Sequence, residues 1–150
     1  MLQSLKNHIE TTKHKLFVLY YCLKFSFKLL KRSIKHDLSK YSRKESRLFT
    51  KYVPKLRGCT YGSDEYMGFL HGLKPSLEQH YRINQHHPEH HNNFKNMSGL
   101  DRIEMIIDWL AATKRHADGD IYKSIEINMK RFGYNEDDKE WLTKIMEEVK

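Results

Sequence analysis

Only three prolines and seven glycines punctuate these 150 residues, and the stretches between them carry apolar side chains at helical spacing. So few breakers predict an all-α chain. Ser42-Arg43-Lys44-Glu45 matches a capping box and opens a helix containing Leu48, Phe49, Tyr52 and Val53, which Pro54 limits. Ser63 caps a short helix through Leu70. The "GLKP" stretch breaks the chain, and Pro75 suits the first turn of a helix running to about His87. Pro88 disfavours helical geometry at His87. Ser98 to Asp101 form a second capping box, Asp120 caps a helix ending near Gly133, and Asn135 caps the last helix, through Val149. With a helix over residues 3 to about 24 and an apolar stretch from Phe25 to Ile34, about seven helices are expected.

A chain of this length suits a single domain over 1–150, with a core that needs neither disulfides nor a structural metal. A hydrophobic content of 39% argues against disorder, while 31% charged residues and a mean hydropathy of −0.78 imply a strongly polar surface. Cys22 and Cys59 make no disulfide framework or C-x-x-C motif, so the plain expectation is a cytoplasmic protein. The net charge of +8 favours polyanionic partners such as nucleotides or nucleic acid. The most apolar run, Leu16 to Leu30, contains Lys24 and Lys28 and falls short of the ~20 apolar residues that cross a bilayer. It reads as a buried core helix, with a membrane-surface helix as the lesser alternative and no membrane partner expected.

The chemistry-bearing residues begin at "IKHDLSK", where His36 stands beside Asp37, with Lys40 one turn further on. An imidazole and a carboxylate suit zinc, manganese or iron, and an ammonium can hold a substrate phosphate. Adjacent side chains converge best near a helix end. His14 is a further imidazole, but one straight helix would put it about 33 Å from His36. A shared metal therefore requires a helical hairpin near Phe25, although neither Gly nor Pro marks a turn there.

Downstream, "QHYRINQHHPEHH" puts His80, Asn84 and His87 on one helical face. On an unbroken helix His80 and His87 lie about 10.5 Å apart, too far to share one ion. Asp108 sits among Ile103, Ile106, Ile107, Trp109 and Leu110, where a carboxylate is costly unless paired or metal-bound. Glu104, Asp108 and Arg115 form a polar stripe on that helix, for which a plain ion-pair network is the bland explanation.

This order of residues resembles the HD-domain superfamily of metal-dependent phosphohydrolases, with "HDLSK" similar to its H-D-x-G-K signature. It also resembles a family of short phage and bacterial proteins in which an "HKxYV"-like segment, "HDLSK", "HxxxNxHHxE" and "EMxxDW" recur in order. Here these are His14 to Val18, His36 to Lys40, His80 to Glu89 and Glu104 to Trp109. The resemblance covers roughly residues 8 to 116. It implies a single HD-like helical bundle on which the helices of 120–150 pack.

It also implies metal ligation by His14, His36, Asp37 and Asp108, with His80 and one of His86 or His87 on a second ion. One or two divalent ions (Mn, Fe, Zn, Ni, Co or Mg) are expected. Asp37 and Lys40 are the expected catalytic residues, and Lys40, Asn84, Glu104 and Arg115 the substrate-binding ones. Tyr81 or Trp109 are candidates to stack on a base. The expected reaction is phosphate-ester hydrolysis of a nucleotide or other small phosphorylated substrate. The alternatives are a basic helical module for nucleic acid or a partner protein, and a di-iron oxygenase.

Overall fold

A computed structural model describes residues 2–59, 63–114 and 119–150. Among these are six α-helices and no strand: α1 Leu2–Lys35, α2 Arg43–Arg57, α3 Asp64–Ile83, α4 Gly99–Thr113, α5 Ile121–Phe132 and α6 Glu136–Val149. Three short 3-10 turns, Leu38–Tyr41, Pro88–His91 and Phe94–Asn96, complete the helical content. The chain divides into two compact units, residues 1–36 and 37–150.

The first unit corrects two expectations. There is no hairpin at Phe25: α1 is one helix of 34 residues, in keeping with the lack of any breaker in its sequence. Nor is the Leu16–Leu30 run a core element, because no residue of α1 is buried. Phe17 and Phe27 are 65% and 66% exposed.

In the second unit the caps read from the sequence are in place at four helices. Ser63 accepts from the amide of Tyr66, and Asp120 from those of Tyr122 and Lys123. Ser98 with Asp101 and Asn135 with Asp138 form reciprocal capping boxes. Gly133 adopts the left-handed conformation (φ 66°) that ends α5.

Two prolines behave differently from expectation. Pro54 lies inside α2, and Pro75 inside α3, which runs unbroken from Asp64 to Ile83 instead of forming two helices. Each proline removes one backbone donor, and the contacts of a 15- and a 20-residue helix outweigh that local penalty. The merging of these two segments into α3 accounts for six helices among the described residues where about seven were expected.

Two packed regions make up the second unit. Met105 and Ile106 of α4, Ile121 and Ile125 of α5, and Leu142 and Met146 of α6 close around Phe94, Met97 and Tyr134. Tyr134 donates its hydroxyl to the carbonyl of Ile125, which satisfies the one polar atom of that ring inside the core. In the other region α2 lies against α3. Gly72, Ser76 and His80 follow one another at four-residue steps and so share a face of α3. A Cβ on Gly72 would stand 2.5 Å from the ring of Tyr52, so the missing side chain is what lets α2 approach. One turn on, buried Ser76 donates to the carbonyl of Lys44 at 3.1 Å. One turn further, that close approach brings His80 against the first turn of α2.

Candidate metal centre

α1 ends at Lys35, and Asp37 takes left-handed backbone angles (φ 57°, ψ 13°) before the Leu38–Tyr41 turn. Aspartate tolerates this region better than most residues. Its carboxylate is divided between two tasks. Oδ2 pairs with the ammonium of Lys40, which also lies over the ring of Phe49. Oδ1 faces imidazoles, 3.2 Å from Nε2 of His80 and 3.6 Å from Nε2 of His86.

The histidines arrive from the end of α3. His80 is buried in the last turn of the helix. Asn84 then leaves helical geometry, and its amide donates to the carbonyl of His80 at 3.0 Å. The expected helix to His87 therefore stops at Ile83, and the chain turns back on itself. As a result His87 Nε2 lies 2.9 Å from His80 Nε2, not a helical 10.5 Å away. Asp37, His80, His86 and His87 offer four ligand atoms that all lie within 4.8 Å of one another.

Each buried imidazole presents its other nitrogen to a carboxylate. His80 Nδ1 lies 3.0 Å from Glu45 Oε2, and His86 Nδ1 lies 3.4 Å from Glu104 Oε1. Such partners hold the Nδ1–H tautomer and leave the Nε2 lone pair for a metal. Ser39 reinforces the first pair: its hydroxyl donates to Glu45 Oε2 at 3.0 Å and accepts from Asn84 Nδ2 at 2.8 Å. The serine found where the resembling signature carries glycine thus has a definite use.

Spacing and charge agree on what the cluster can hold. A tetrahedral ion with bonds of ~2.0–2.1 Å separates neighbouring ligand atoms by about 3.3 Å. Three of the separations, 2.9, 3.2 and 3.6 Å, bracket that value. Asp37, Glu45 and Glu104 supply three carboxylates around the imidazoles, against the one ammonium of Lys40. Carboxylates gathered on imidazoles in a largely buried place make a donor set that a divalent cation suits. His87 is neutral there: burial, then the proximity of His86 and His80, push its pKa down to about 2.

His87 also lines a cavity of about 460 Å³ with Tyr81, Trp109, Asn128, Arg131 and Phe132. Arg131 pairs with Glu89 at 2.6 Å on its rim. Burial and then the charge of Glu89 push the Tyr81 hydroxyl above its ordinary pKa, against the opposing effect of Arg131, so it remains a donor.

Several expected site residues take other places. His14 lies 22 residues before His36 on the same continuous helix, about 33 Å along the axis, so the two do not share an ion. His36 ends the first unit, its amide donating to the Ser33 carbonyl at 3.3 Å. Asp108 brings a carboxylate oxygen within 4.8 Å of a ring nitrogen of His86. Asn84 and Glu104, expected on substrate, contact His80 and His86. Lys40, likewise expected on phosphate, is turned onto Asp37. Arg115 lies outside the described residues.

Sequence reasoning missed Glu45, which it assigned to a capping box. Ser42 makes no side-chain cap bond, and Glu45 turns inward to His80 with none of its surface exposed. The local sequence of Glu45 carries no signal for that inward turn, since it matches a capping-box position.

No curated protein and no solved structure matches this chain. One family model does, over residues 3–149: a family of unknown function, DUF5662. That match spans both units and every residue of the cluster, and the chain belongs to the DUF5662 family.

Proposed function

We propose that Asp37, His80, His86 and His87 hold a divalent transition-metal ion and that the chain is a metal-dependent phosphohydrolase acting on a small phosphorylated substrate, a nucleotide being the leading class. The observation that carries the metal reading is the paired arrangement of His80 and His86. Each turns one nitrogen towards Asp37 Oδ1 and the other towards a carboxylate. Three imidazoles and one carboxylate form a donor set suited to zinc, iron or manganese.

Such an ion, when bound, lowers the pKa of a coordinated water toward neutrality and polarises a phosphoryl oxygen. The protein's own groups do the rest. Asp37 holds Oδ1 at the cluster because Lys40 fixes Oδ2, and it orients the attacking water. His87 stays uncharged throughout the neutral range, and Asp108 adds a further carboxylate beside His86. The cavity walled by His87 gives the substrate room within reach of the cluster, with Tyr81, Trp109 and Phe132 as apolar surfaces for a ring and Arg131 at its rim. The resemblance to HD-type phosphohydrolases supports the same chemistry.

The test is elemental analysis and hydrolysis of phosphate esters by protein purified without a histidine tag, alongside Asp37→Ala. The reading expects metal and activity to fall together in the variant. Full activity in metal-free protein would sink it. The same donor set takes redox-active iron, so iron content with colour in fresh protein would move the assignment to oxygenase chemistry.

A further inference from the structure

Helix α1 carries eight cations, Lys6, Lys13, Lys15, Lys24, Lys28, Lys31, Arg32 and Lys35, against a single carboxylate, Glu10. Residues outside it hold nineteen cations and eighteen carboxylates. Seven of the eight net charges therefore lie on one helix, and the remainder of the chain is close to neutral. The basic character is not a property of the candidate metal centre.

The apolar side chains of α1 are as unevenly placed as its charge. Leu2, Ile9, Leu16, Leu23 and Leu30 recur every seven residues, and with Leu5, Leu19, Tyr20, Phe27 and Ile34 they fall within an arc of about 100° on a helix of 3.6 residues per turn. Thr12 is the one polar residue in that arc. None of these side chains is buried, and Ile34 is 68% exposed. Lys6, Lys13, Lys24 and Lys31 follow along one edge of the arc, where long aliphatic stems can lie over an apolar phase while the ammonium reaches outward. Phe17, Val18, Tyr21 and Phe25 are exposed too, but lie outside that arc, beyond the lysine edge and on the opposite side of the helix.

We propose that α1 is an in-plane membrane anchor that lies in the interface of an anionic lipid bilayer. Charge decides between the possible occupants. A second copy of α1 against the same seam would set one strongly cationic helix beside another, without the opposite charges that flank stable helix pairs. An anionic headgroup layer attracts the same lysines and accepts the apolar arc in its acyl boundary. The helix need not span: no helix among the described residues is long and apolar enough to cross a membrane. The inference is independent of the metal centre.

The test is co-sedimentation of the full chain with vesicles of phosphatidylcholine, with and without phosphatidylserine. Binding should be at least roughly tenfold tighter to the anionic vesicles and should weaken as salt rises. Leu16→Glu with Phe27→Glu, and separately Lys24→Glu with Lys31→Glu, should each abolish it. These positions are exposed, and an unchanged far-ultraviolet spectrum establishes that each variant is folded. Four results would overturn the proposal: no binding to either vesicle, binding indifferent to both double variants, a dimer at sedimentation equilibrium that Leu16→Glu dissolves, or salt-sensitive binding to DNA or RNA without binding to vesicles.

Discussion

Glu45 Oε2 lies 3.0 Å from Nδ1 of His80, and both side chains are buried. The pair joins the first turn of α2 to the last turn of α3, and it sets the direction of the His80 Nε2 lone pair. Removing the carboxylate with Glu45→Ala should leave His80 in place but free its ring to turn and change tautomer. Metal affinity should fall by about 10- to 100-fold, as is typical when a ligand's supporting carboxylate is lost. Titration calorimetry on chelator-stripped protein measures this. Unchanged affinity would mean that His80 is oriented by packing alone.

Ser39 joins three groups: its hydroxyl donates to Glu45, accepts from Asn84 and lies 3.1 Å from His80 Nδ1, while the Asn84 side chain also donates to the His80 carbonyl at 2.8 Å. Ser39→Ala should cost about 1–3 kcal/mol in urea unfolding, because it leaves partly buried polar atoms with one partner fewer. Metal affinity should fall less than in Glu45→Ala, since the Glu45–His80 pair survives. A larger loss of affinity than of stability would instead place Ser39 in direct contact with the ion.

The pKa of His87 falls from 6.5 to about 2 on folding, through burial first and the neighbouring His86 and His80 next. Between those values the unfolded chain binds a proton that the folded chain refuses. Stability of metal-free protein should therefore be full above about pH 6.5 and decline as the pH falls toward 2. The slope is at most about 1.4 kcal/mol per pH unit for this one group. His87→Gln should flatten the profile in that window, measured by urea unfolding at a series of pH values. A variant with the wild-type slope would assign the acid sensitivity to other groups.

Gly72 leaves space for the Tyr52 ring, and Gly72→Ala would place a methyl 2.5 Å from Tyr52 Cζ. The ring can yield only by shifting within the α2–α3 packing, so a loss of about 1–3 kcal/mol is expected. Because His80 lies two turns along the same face, metal affinity should fall with it. A stabilised variant would show that Tyr52 swings out freely.

The all-helical class was legible because it depends on breakers and caps, which are local. Ser63, Ser98, Asp120 and Asn135 cap the helices assigned to them. What failed depended on tertiary context. Pro54 and Pro75 look like helix limits, yet each removes only one backbone bond from a helix held by its packing. The hairpin at Phe25 was required by a metal set that included His14, and the sequence offered no turn to build it from. The Asp37, His80 and His87 candidates do meet, but by a route the spacing argument excluded. It assumed a helix through His87, and Asn84 ends that helix four residues after His80. Glu45 was hidden by a local motif it matches and does not use.

Whether Asp37, His80, His86 and His87 hold metal is decided by elemental analysis of tag-free protein. At least one zinc, iron or manganese ion per chain is expected, retained through gel filtration and lost in both Asp37→Ala and His80→Ala. Wild-type protein free of transition metal, and still free of it after incubation with these ions and desalting, would rule out a metal centre at this cluster, as would variants that keep the full metal content.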